Sequence, residues 1–398
     1  MRISTANIYQ QSVTAILQQQ AQLAATQQQV ATGKRVISAG DDPVAAVQLQ
    51  SLTRMQSQQD QYTKNANAAQ GRLQIEEQAL SDSTSVLQRI RELVLQANNA
   101  TQTAPDRQAI ATELKARVDE LQGIANRKDN GGEYLFAGFS AGLQPFTRNA
   151  SGSVAYMGDS GQRSVLIDSA VVVADGDPGS NVFTNVKQGN GVFTTAASAG
   201  NTGGGMIDVG TVQNRSAWVA DTYTLRFTTA STWQVTDSGS NVVASGNYTS
   251  GAGITFNGVQ VSVSGAPASG DTFTIGAAGR VSTFDALDQV VAALGTASDS
   301  DAAHAQLHTA LGGALQQIDQ SLAQISSVRS TVGTRLSLID DVAATRDARQ
   351  ADVASSISQL QDLDYASAIS KMNQQYVGLQ AAQQAYVKIA GLSLFNYL

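Results

Sequence analysis

The first third of the chain repeats apolar side chains at the spacing of long helices. In residues 9–31 the seam positions fall three and four residues apart, which predicts a coiled-coil seam that includes two glutamines. These positions are Val13, Ile16, Gln20, Leu23, Gln27 and Val30. Gly33 is expected to end this helix, because glycine readily adopts the left-handed backbone found after helices.

Two further helices are predicted before residue 130. Asp42 is a candidate N-cap, with Pro43 at the first helical position of a long helix whose apolar residues recur every seven positions. The recurring residues are Leu73, Leu80, Leu87 and Val94, with Ile90 beside them. The next helix is expected to start around Thr103–Asp106, with Pro105 in its first turn, and to end near Asn126.

The last third shows the same heptad spacing in two series. The first series is Leu311, Leu315, Ile318, Leu322, Ile325, Arg329, Val332, Leu336 and Ile339. The second series is Tyr365, Ile369, Met372, Tyr376, Leu379, Gln383, Tyr386 and Ala390. Heptads at both ends of one chain indicate that the two ends pack together as a bundle.

The middle of the chain has the pattern of β-strands. Asn130-Gly131-Gly132 is a turn signal before Tyr134-Leu135-Phe136. Asn257-Gly258 between two short apolar runs is a strong hairpin signal. The alternating strand residues are Tyr223, Leu225 and Phe227, then Val259, Val261 and Val263, followed by Phe273 and Ile275. These patterns predict antiparallel hairpins in one or two small β domains.

Composition supports the same three-part division. Residues 131–280 hold 25 of the 35 glycines and only 6 glutamines, whereas the flanking segments are rich in the helix formers Gln, Ala and Leu. We predict an α+β fold in which long N- and C-terminal helices pair as a coiled-coil-like bundle around an inserted antiparallel β domain. The expected domains are the terminal helices (1–42 and 361–398), a helical bundle with a short hairpin (43–144 and 281–360) and the β insert (145–280).

Charge and cysteine content exclude several classes of protein. The 25 Lys and Arg against 32 Asp and Glu give a net charge of -7, and charged residues are only 14% of the chain, so nucleic acid is not an expected partner. The absence of cysteine excludes disulfides and thiolate metal sites. We find no stretch of apolar residues long enough to cross a membrane and no signal-peptide pattern, so any export is expected to proceed without a cleaved signal peptide.

The two ends of the chain are almost free of charge. Residues 3–33 contain no charged side chain, and the last 27 residues contain only Lys388. Helices exposed to water normally carry charges, whereas helices packed on every side avoid them because desolvation is costly. We therefore expect both ends to be disordered in the monomer and to become ordered when copies stack together.

Several short motifs at the two ends resemble the bacterial flagellin superfamily and, within it, the hook–filament junction proteins. The N-terminal motifs are Met1-Arg2-Ile3-Ser4-Thr5, Thr32-Gly33-Lys34-Arg35-Val36, Ala39-Gly40-Asp41-Asp42-Pro43, Gln61-Tyr62, Asn65, Arg91-Glu92-Leu93 and Tyr134-Leu135-Phe136-Ala137-Gly138. The C-terminal motifs are Leu363-Asp364-Tyr365, Ala368-Ile369 and Leu392-Ser393-Leu394-Phe395-Asn396-Tyr397-Leu398. The resemblance covers about 140 residues at one end and about 90 at the other, and residues 222–275 resemble an insert of several hook-associated proteins.

The resemblance implies a structural adaptor of the extracellular bacterial flagellum. About eleven copies would form a ring between the first hook-associated protein and flagellin, with the terminal helices as the inner tube and the β insert outside. Export would use the flagellar type III apparatus, with a chaperone on the C-terminal helix. The expected subunit-assembly interface is Val13, Ile16, Leu23, Val30, Lys34, Arg35, Asp41, Asp42, Ile369, Met372, Tyr376, Leu379, Tyr386, Leu392, Leu394 and Phe395. Asp41 and Asp42 are also expected to act as caps, and Lys34 and Arg35 are expected to form ion pairs between subunits.

Two other functions stay open, and no enzyme activity, metal or cofactor is expected. The chain could be a flagellin-type filament subunit, or a surface adhesin whose Trp218, Trp233 and Tyr223 bind carbohydrate. His304 and His308 are four residues apart but lack the adjacent Glu and third ligand of a zinc site. The remaining candidates, which lack the spacing of calcium or phosphate motifs, are Asp175, Asp177, Asp208 and Gly203-Gly204-Gly205.

Overall fold

The computed structural model describes residues 5–99, 102–150, 152–296 and 300–391. The chain divides into two units, Met1–Lys64 with Asp341–Leu398, and Asn65–Asp340. The α-helices of the described residues are α1 (Thr5–Thr32), α2 (Pro43–Ala97), α3 (Ala104–Ala125), α4 (Thr283–Thr296), α5 (Asp301–Gln361) and α6 (Tyr365–Gly391). A π-helical turn (Ser180–Thr184) and a 3₁₀ turn (Arg215–Ala217) complete the helical elements described.

The predicted starts of α2 and α3 and the heptad of α2 are confirmed. The carboxylate of Asp42 accepts the backbone N–H of Ala45 at 3.0 Å, as an N-cap should. At the start of α3 the Asp106 carboxylate accepts both the backbone N–H of Thr103, at 3.1 Å, and its hydroxyl, at 2.6 Å. The heptad residues Leu73, Leu80, Leu87 and Val94 are all fully buried.

Helix α4 was not singled out by the sequence pattern. It buries Phe284, Leu287, Val290 and Leu294 in the second unit. Its 14 residues give only four such positions, and they directly follow the glycine-rich segment. A helix this short depends on tertiary packing more than on its own periodicity, so the pattern alone did not reveal it.

The β-strands lie between residues 146 and 281. They are β1 (Phe146–Arg148), β2 (Val154–Tyr156), β3 (Ser164–Asp168), β4 (Val171–Ala174), β5 (Val186–Lys187), β6 (Phe193–Ala197), β7 (Met206–Ile207), β8 (Thr211–Val212), β9 (Thr222–Thr229), β10 (Thr232–Thr236), β11 (Val242–Asn247), β12 (Gly253–Phe256), β13 (Val259–Ser264), β14 (Thr272–Ala277) and β15 (Arg280–Val281). One sheet has the order β11-β10-β9-β14-β6, and a second has the order β12-β13-β7 with β8 also on β13. The remaining pairs are β1–β2, β3–β4 and β5–β15, and every pairing described is antiparallel.

The predicted hairpin at Asn257-Gly258 is confirmed. Phe256 pairs with Val259, and both turn residues have positive φ, +41° and +78°, as a two-residue hairpin turn requires. The alternation in β9 is confirmed as well, because Tyr223, Leu225 and Phe227 are each at most 1% exposed.

The predicted turn at Asn130-Gly131-Gly132 is confirmed, because an antiparallel bridge joins Lys128 and Tyr134 across it, but the strand expected at Tyr134-Leu135-Phe136 is limited to this single bridge. The guanidinium of Arg72 donates to the carbonyls of Tyr134 and Leu135 at 3.2 and 3.4 Å. A side chain therefore satisfies backbone acceptors that a partner strand would otherwise have used.

Candidate assembly interface

Helices α1 and α6 of the first unit pack side by side in opposite directions. Near one end the rings of Tyr9 and Tyr386 meet edge to face, with centroids 5.9 Å apart. At the other end Gly33 lies against Tyr365, because a Cβ built on Gly33 would come within 2.8 Å of the tyrosine Oη. Between them Gly378 gives room to Gln19. The predicted pairing of the two ends of the chain is therefore confirmed.

The connection after α1 is held to the connection before α6. The backbone N–H of Arg35 donates to the carbonyl of Gln361 at 2.6 Å, and that of Leu363 donates to the carbonyl of Gly33 at 3.0 Å. Gly33 has φ of +70°, which allows the chain to reverse at this point. The Arg35 guanidinium donates to the carbonyl of Leu360 at 2.8 Å and forms an ion pair with Asp42 at 3.3 Å.

The aspartates of this connection act as backbone caps. Asp41 accepts the N–H groups of Ser38 and Ile37, and these hydrogen bonds hold its pKa below the ordinary value. The N–H of Ala45, more than the nearby Arg35, lowers the pKa of Asp42 in the same way. Both carboxylates therefore stay ionised at neutral pH, as capping groups should.

The residues predicted to form the assembly interface fall into three groups by exposure. Leu23 is buried, and Ile16, Val30, Met372, Leu379 and Tyr386 are half-buried. Asp42 also belongs to the half-buried group. The exposed group comprises Val13, Lys34, Arg35, Asp41, Ile369 and Tyr376. Leu392, Leu394 and Phe395 lie outside the described residues.

The predicted seam of α1 was wrong in its alternate positions. Ile16, Leu23 and Val30 do lie on the inward face, but Val13 is 41% exposed, and Gln20 and Gln27 are exposed. The inward positions are Tyr9, Ser12, Ile16, Gln19, Leu23, Thr26 and Val30. These also alternate spacings of three and four, and Thr26 turns its hydroxyl back to the carbonyl of Gln22 at 3.0 Å. A polar residue whose hydroxyl is satisfied within its own helix can occupy a seam, so the spacing that started from the apolar Val13 predicted the wrong neighbouring positions.

The two helices carry a second set of apolar residues that face solvent in the described chain. On α1 these are Val13 and Leu17, which is 59% exposed, and on α6 they are Tyr365, Ile369, Tyr376, Val377 and Val387, which range from 43% to 67% exposed. Val13, Ile369 and Tyr376 are among the predicted interface residues, whereas the sequence pattern did not single out Leu17, Val377 and Val387. A search for a second apolar stripe on each helix would have found them.

Three of the candidate metal ligands form hydrogen bonds or ion pairs with other side chains of the chain. His308 Nδ1 lies 2.5 Å from Asn98 Oδ1. Asp175 pairs with Arg163 at 2.8 Å, and Asp177 pairs with Arg335 at 2.8 Å. Within the described residues no group of three His, Asp or Glu side chains is arranged to hold a metal ion.

The aromatic residues considered for carbohydrate binding belong to the core of the β region. Tyr223 is 1% exposed, and Trp218 and Trp233 pack against the same buried cluster. A cavity of about 310 Å³ in the second unit is lined by residues of β6, α4 and α5, and none of these three aromatics lines it.

Models of known families match both ends and the middle of the chain. The bacterial flagellin N-terminal helical region matches residues 3–141, and the C-terminal helical region matches residues 315–398. The D2-like domain of flagellar hook-associated protein 1 matches residues 196–277, which contain four strands of the larger sheet (β9, β10, β11 and β14), the last two residues of β6, and β7, β8, β12 and β13.

The chain is also similar over most of its length to solved structures. Flagellar hook-associated protein-3 of Legionella pneumophila is 31% identical with a TM-score of 0.75, and the match covers 78% of this chain and 98% of that one. The chain belongs to the flagellar hook-associated protein 3 family. FlgL of Xanthomonas campestris is 34% identical with a TM-score of 0.74, covering 77% of this chain and 99% of that one. Flagellar hook-associated protein 3 of Escherichia coli K12 is 26% identical, covering 100% of this chain and 99% of its own length.

Membership of the hook-associated protein 3 family indicates an extracellular flagellar assembly. None of the helices in the described ranges combines the length and apolar character needed to cross a bilayer.

Proposed function

We propose that this chain is a structural adaptor of the bacterial flagellum that joins the hook to the flagellin filament and assembles by helix packing between copies. The observation that carries this function is the second apolar face of α1 and α6. Leu17, Tyr376 and Val387 are each more than half exposed on helices that carry few charges. Burial of such side chains contributes up to roughly 1.5–3 kcal/mol each, and neighbouring copies can supply that burial.

The proposed interface residues divide by role. Ile16, Leu23, Val30, Met372, Leu379 and Tyr386 would hold α1 to α6 within one copy. Val13, Ile369 and Tyr376, which are exposed, would contact the next copy. Leu392, Leu394 and Phe395 belong to the proposed interface through the resemblance of the C-terminal motif. In the connecting segment Arg35 has a partner within its own chain, Asp42, so Lys34 is the better candidate for an ion pair between copies.

The family relationship supports a specific set of partners within this proposal. About eleven copies would form a ring, with the first hook-associated protein on the hook side and flagellin on the other side. An export chaperone would bind the C-terminal helix before secretion through the flagellar type III apparatus, without removal of a signal peptide. The terminal helices would be disordered in the lone monomer and ordered in the ring.

A flagellin-type filament subunit is the nearest alternative, because the flagellin helical regions match both ends of the chain. The match of residues 196–277 to a domain of a hook-associated protein favours the adaptor. Copy number separates the two functions: quantitative mass spectrometry of purified flagella should find roughly one ring's worth of this chain per filament, whereas a filament subunit would be the most abundant protein.

Deletion of the encoding gene tests the adaptor function directly. Electron microscopy should show intact hooks without filaments, and flagellin should appear in the medium. Expression of the wild-type chain or of Val13→Ile should restore filaments, whereas Val13→Glu should not, because a carboxylate cannot be desolvated at an apolar interface without a large cost. Filaments of normal length on the deletion strain would contradict the proposal.

A further inference from the structure

The first turns of α2 carry two apolar faces, and only one of them is covered by other residues that the structure describes. The inner face includes Ala45 and Leu49, which are buried with Val36 against Ile357 and Leu360. The other face, named here the α2 stripe, comprises Val44, Val47 and Met55, which are 68%, 68% and 46% exposed. At 100° per residue the two faces are about 130° apart around the helix, so one packing surface cannot cover both.

The same unit offers a second exposed apolar face of matching length. The α6 stripe comprises Tyr365, Ile369 and Tyr376, which are 52%, 43% and 57% exposed. Val44 to Met55 and Tyr365 to Tyr376 each contain twelve residues, and the eleven steps between their ends correspond to about 16 Å of helix. The two stripes are therefore long enough to pack against each other along their whole length.

The charges beside the stripes favour one orientation. Arg54 precedes Met55 and is exposed, and Asp364 precedes Tyr365 and is exposed. If the helices pack antiparallel, Met55 lies beside Tyr365 and Val44 lies beside Tyr376, so the guanidinium of Arg54 comes near the carboxylate of Asp364. A parallel arrangement would move Arg54 to the opposite end of the α6 stripe from Asp364. The antiparallel arrangement also places a methionine sulfur against an aromatic ring, which is a favourable contact.

We propose that the α2 stripe of one copy packs antiparallel on the α6 stripe of the next copy. The inference rests on the proposed function, since it names the surfaces through which copies of the adaptor meet. Two different patches on one chain make a heterologous contact, which repeats from copy to copy and closes into a ring when the rotation allows. A second copy is the occupant that fits, because each copy supplies both halves of the contact at the same length with opposite charges at the matching end.

The absence of cysteine from the chain allows a direct test by disulfide cross-linking. Two double variants of the full chain place cysteines at the ends of the proposed contact: Met55→Cys with Tyr365→Cys, and Val44→Cys with Tyr376→Cys. The matched control, Val44→Cys with Tyr365→Cys, uses the same residues in the parallel pairing. Each is expressed in the deletion strain, and isolated flagella are oxidised with copper phenanthroline and air. A disulfide needs Cα atoms about 4–7 Å apart, so cross-linking reports the register.

The proposal predicts a ladder of covalent dimers and higher multimers for both antiparallel pairs on non-reducing gels. The control pair and each single cysteine variant should stay largely monomeric. A disulfide within one chain would leave the mass of a monomer and would therefore be distinguishable. Cross-linking of the control pair alone, or monomers from both antiparallel pairs in flagella with normal filaments, would overturn the proposal. In that second case the adaptor function would still stand, whereas filaments in the uncomplemented deletion strain would overturn the function itself.

A substitution within the α2 stripe gives an independent measurement. Val47→Lys should leave the far-UV circular dichroism and melting temperature of the purified chain unchanged, since Val47 is exposed in the single chain, but filaments and motility should be lost. Val47→Ile should retain both. Normal motility of the Val47→Lys strain would contradict a buried stripe.

Discussion

The β region and the terminal helix pair use large hydrophobic residues in opposite ways. In the β region Phe193, Phe227 and Phe273 are completely buried. On the terminal helices Tyr376 and Val387 are 57% and 67% exposed. The first arrangement is complete within one chain, whereas the second leaves apolar surface for other molecules to cover. The difference shows that the β region packs its large apolar residues within one chain, whereas the described terminal helices keep several of theirs exposed, as the proposed assembly through these helices requires.

The strongest test of this contrast compares two aromatic truncations. Phe273→Ala should destabilise the β region by about 3–5 kcal/mol, because it opens a cavity in a closed core. Tyr376→Ala should change stability by less than about 0.5 kcal/mol, because the ring is already exposed. Both tryptophans of the chain pack on the β core, so urea unfolding followed by tryptophan fluorescence measures Phe273→Ala, and far-UV circular dichroism, which reports the helices, measures Tyr376→Ala. Equal effects of the two substitutions would remove the contrast.

A second test uses a buried carboxyl group in the second unit. Burial, and then the nearby Asp177, raise the pKa of Glu76 to about 8, while its Oε1 accepts the N–H of Asp177 at 3.1 Å. The charged groups around it include Arg72 of α2 and Arg335 of α5. A carboxyl with a raised pKa is protonated in the folded state, so its effect on stability is favourable at low pH and lost as pH rises towards the folded value.

The free energy of unfolding should therefore fall between pH 4.5, the ordinary pKa, and pH 8. At pH 7 the loss due to this group, relative to a pH below 4.5, should be about 3 kcal/mol. Glu76→Gln keeps a hydrogen-bond acceptor without the charge, so it should flatten this pH dependence and stabilise the chain at pH 8. Glu77→Gln is the matched control, because Glu77 is a third exposed and pairs with Arg329. Denaturant unfolding at several pH values measures both. An unchanged pH slope in the Glu76 variant would show that another group is responsible.

A smaller effect is expected where α1 ends. Gly33→Ala places a side chain at φ of +70° and within 2.8 Å of the Tyr365 Oη, so it should cost about 1–2 kcal/mol in the packing of α1 on α6. Gly40→Ala is the control, because the nearest atom to a Cβ there is 3.6 Å away. Hydrogen exchange of the α1 amides, measured in isolated flagella where the proposed function expects the terminal helices to be ordered, should accelerate in the first variant only.

The smallest effect on the single chain should come from Val13→Ala. Because Val13 is 41% exposed, the thermal stability of the purified chain should change by less than about 0.5 kcal/mol. Filament formation in the deletion strain should nevertheless decline, since the assembled state would bury this side chain. A strongly destabilised monomer with normal filaments would reverse the assigned role of the residue.

Much of the helical and hairpin structure was predictable because its signals are local. The Asp42 cap, the Asn257-Gly258 turn and the heptad of Leu73 each depend on residues close in sequence. The domain boundaries at 42/43 and 144/145, and the assignment of the interface residues, stay predictions. The short helix α4 was missed and the strand at Tyr134-Leu135-Phe136 was predicted too long, because these features depend on residues far away in the chain, such as Arg72, which donates to the carbonyls of Tyr134 and Leu135.

The amino-acid sequence by itself determined the helical ends, the β-rich centre and the almost charge-free termini, since periodicity, turn residues and charge are properties of short segments. Tertiary structure decided which of two apolar faces each helix turns inward. It placed Ser12, Gln19 and Thr26 on the α1 seam, left Val44 and Val47 on the surface, and buried Glu76 without a full set of partners among the described residues. The physical reason is that burial depends on what lies opposite a side chain, and a linear pattern gives only the side chain itself.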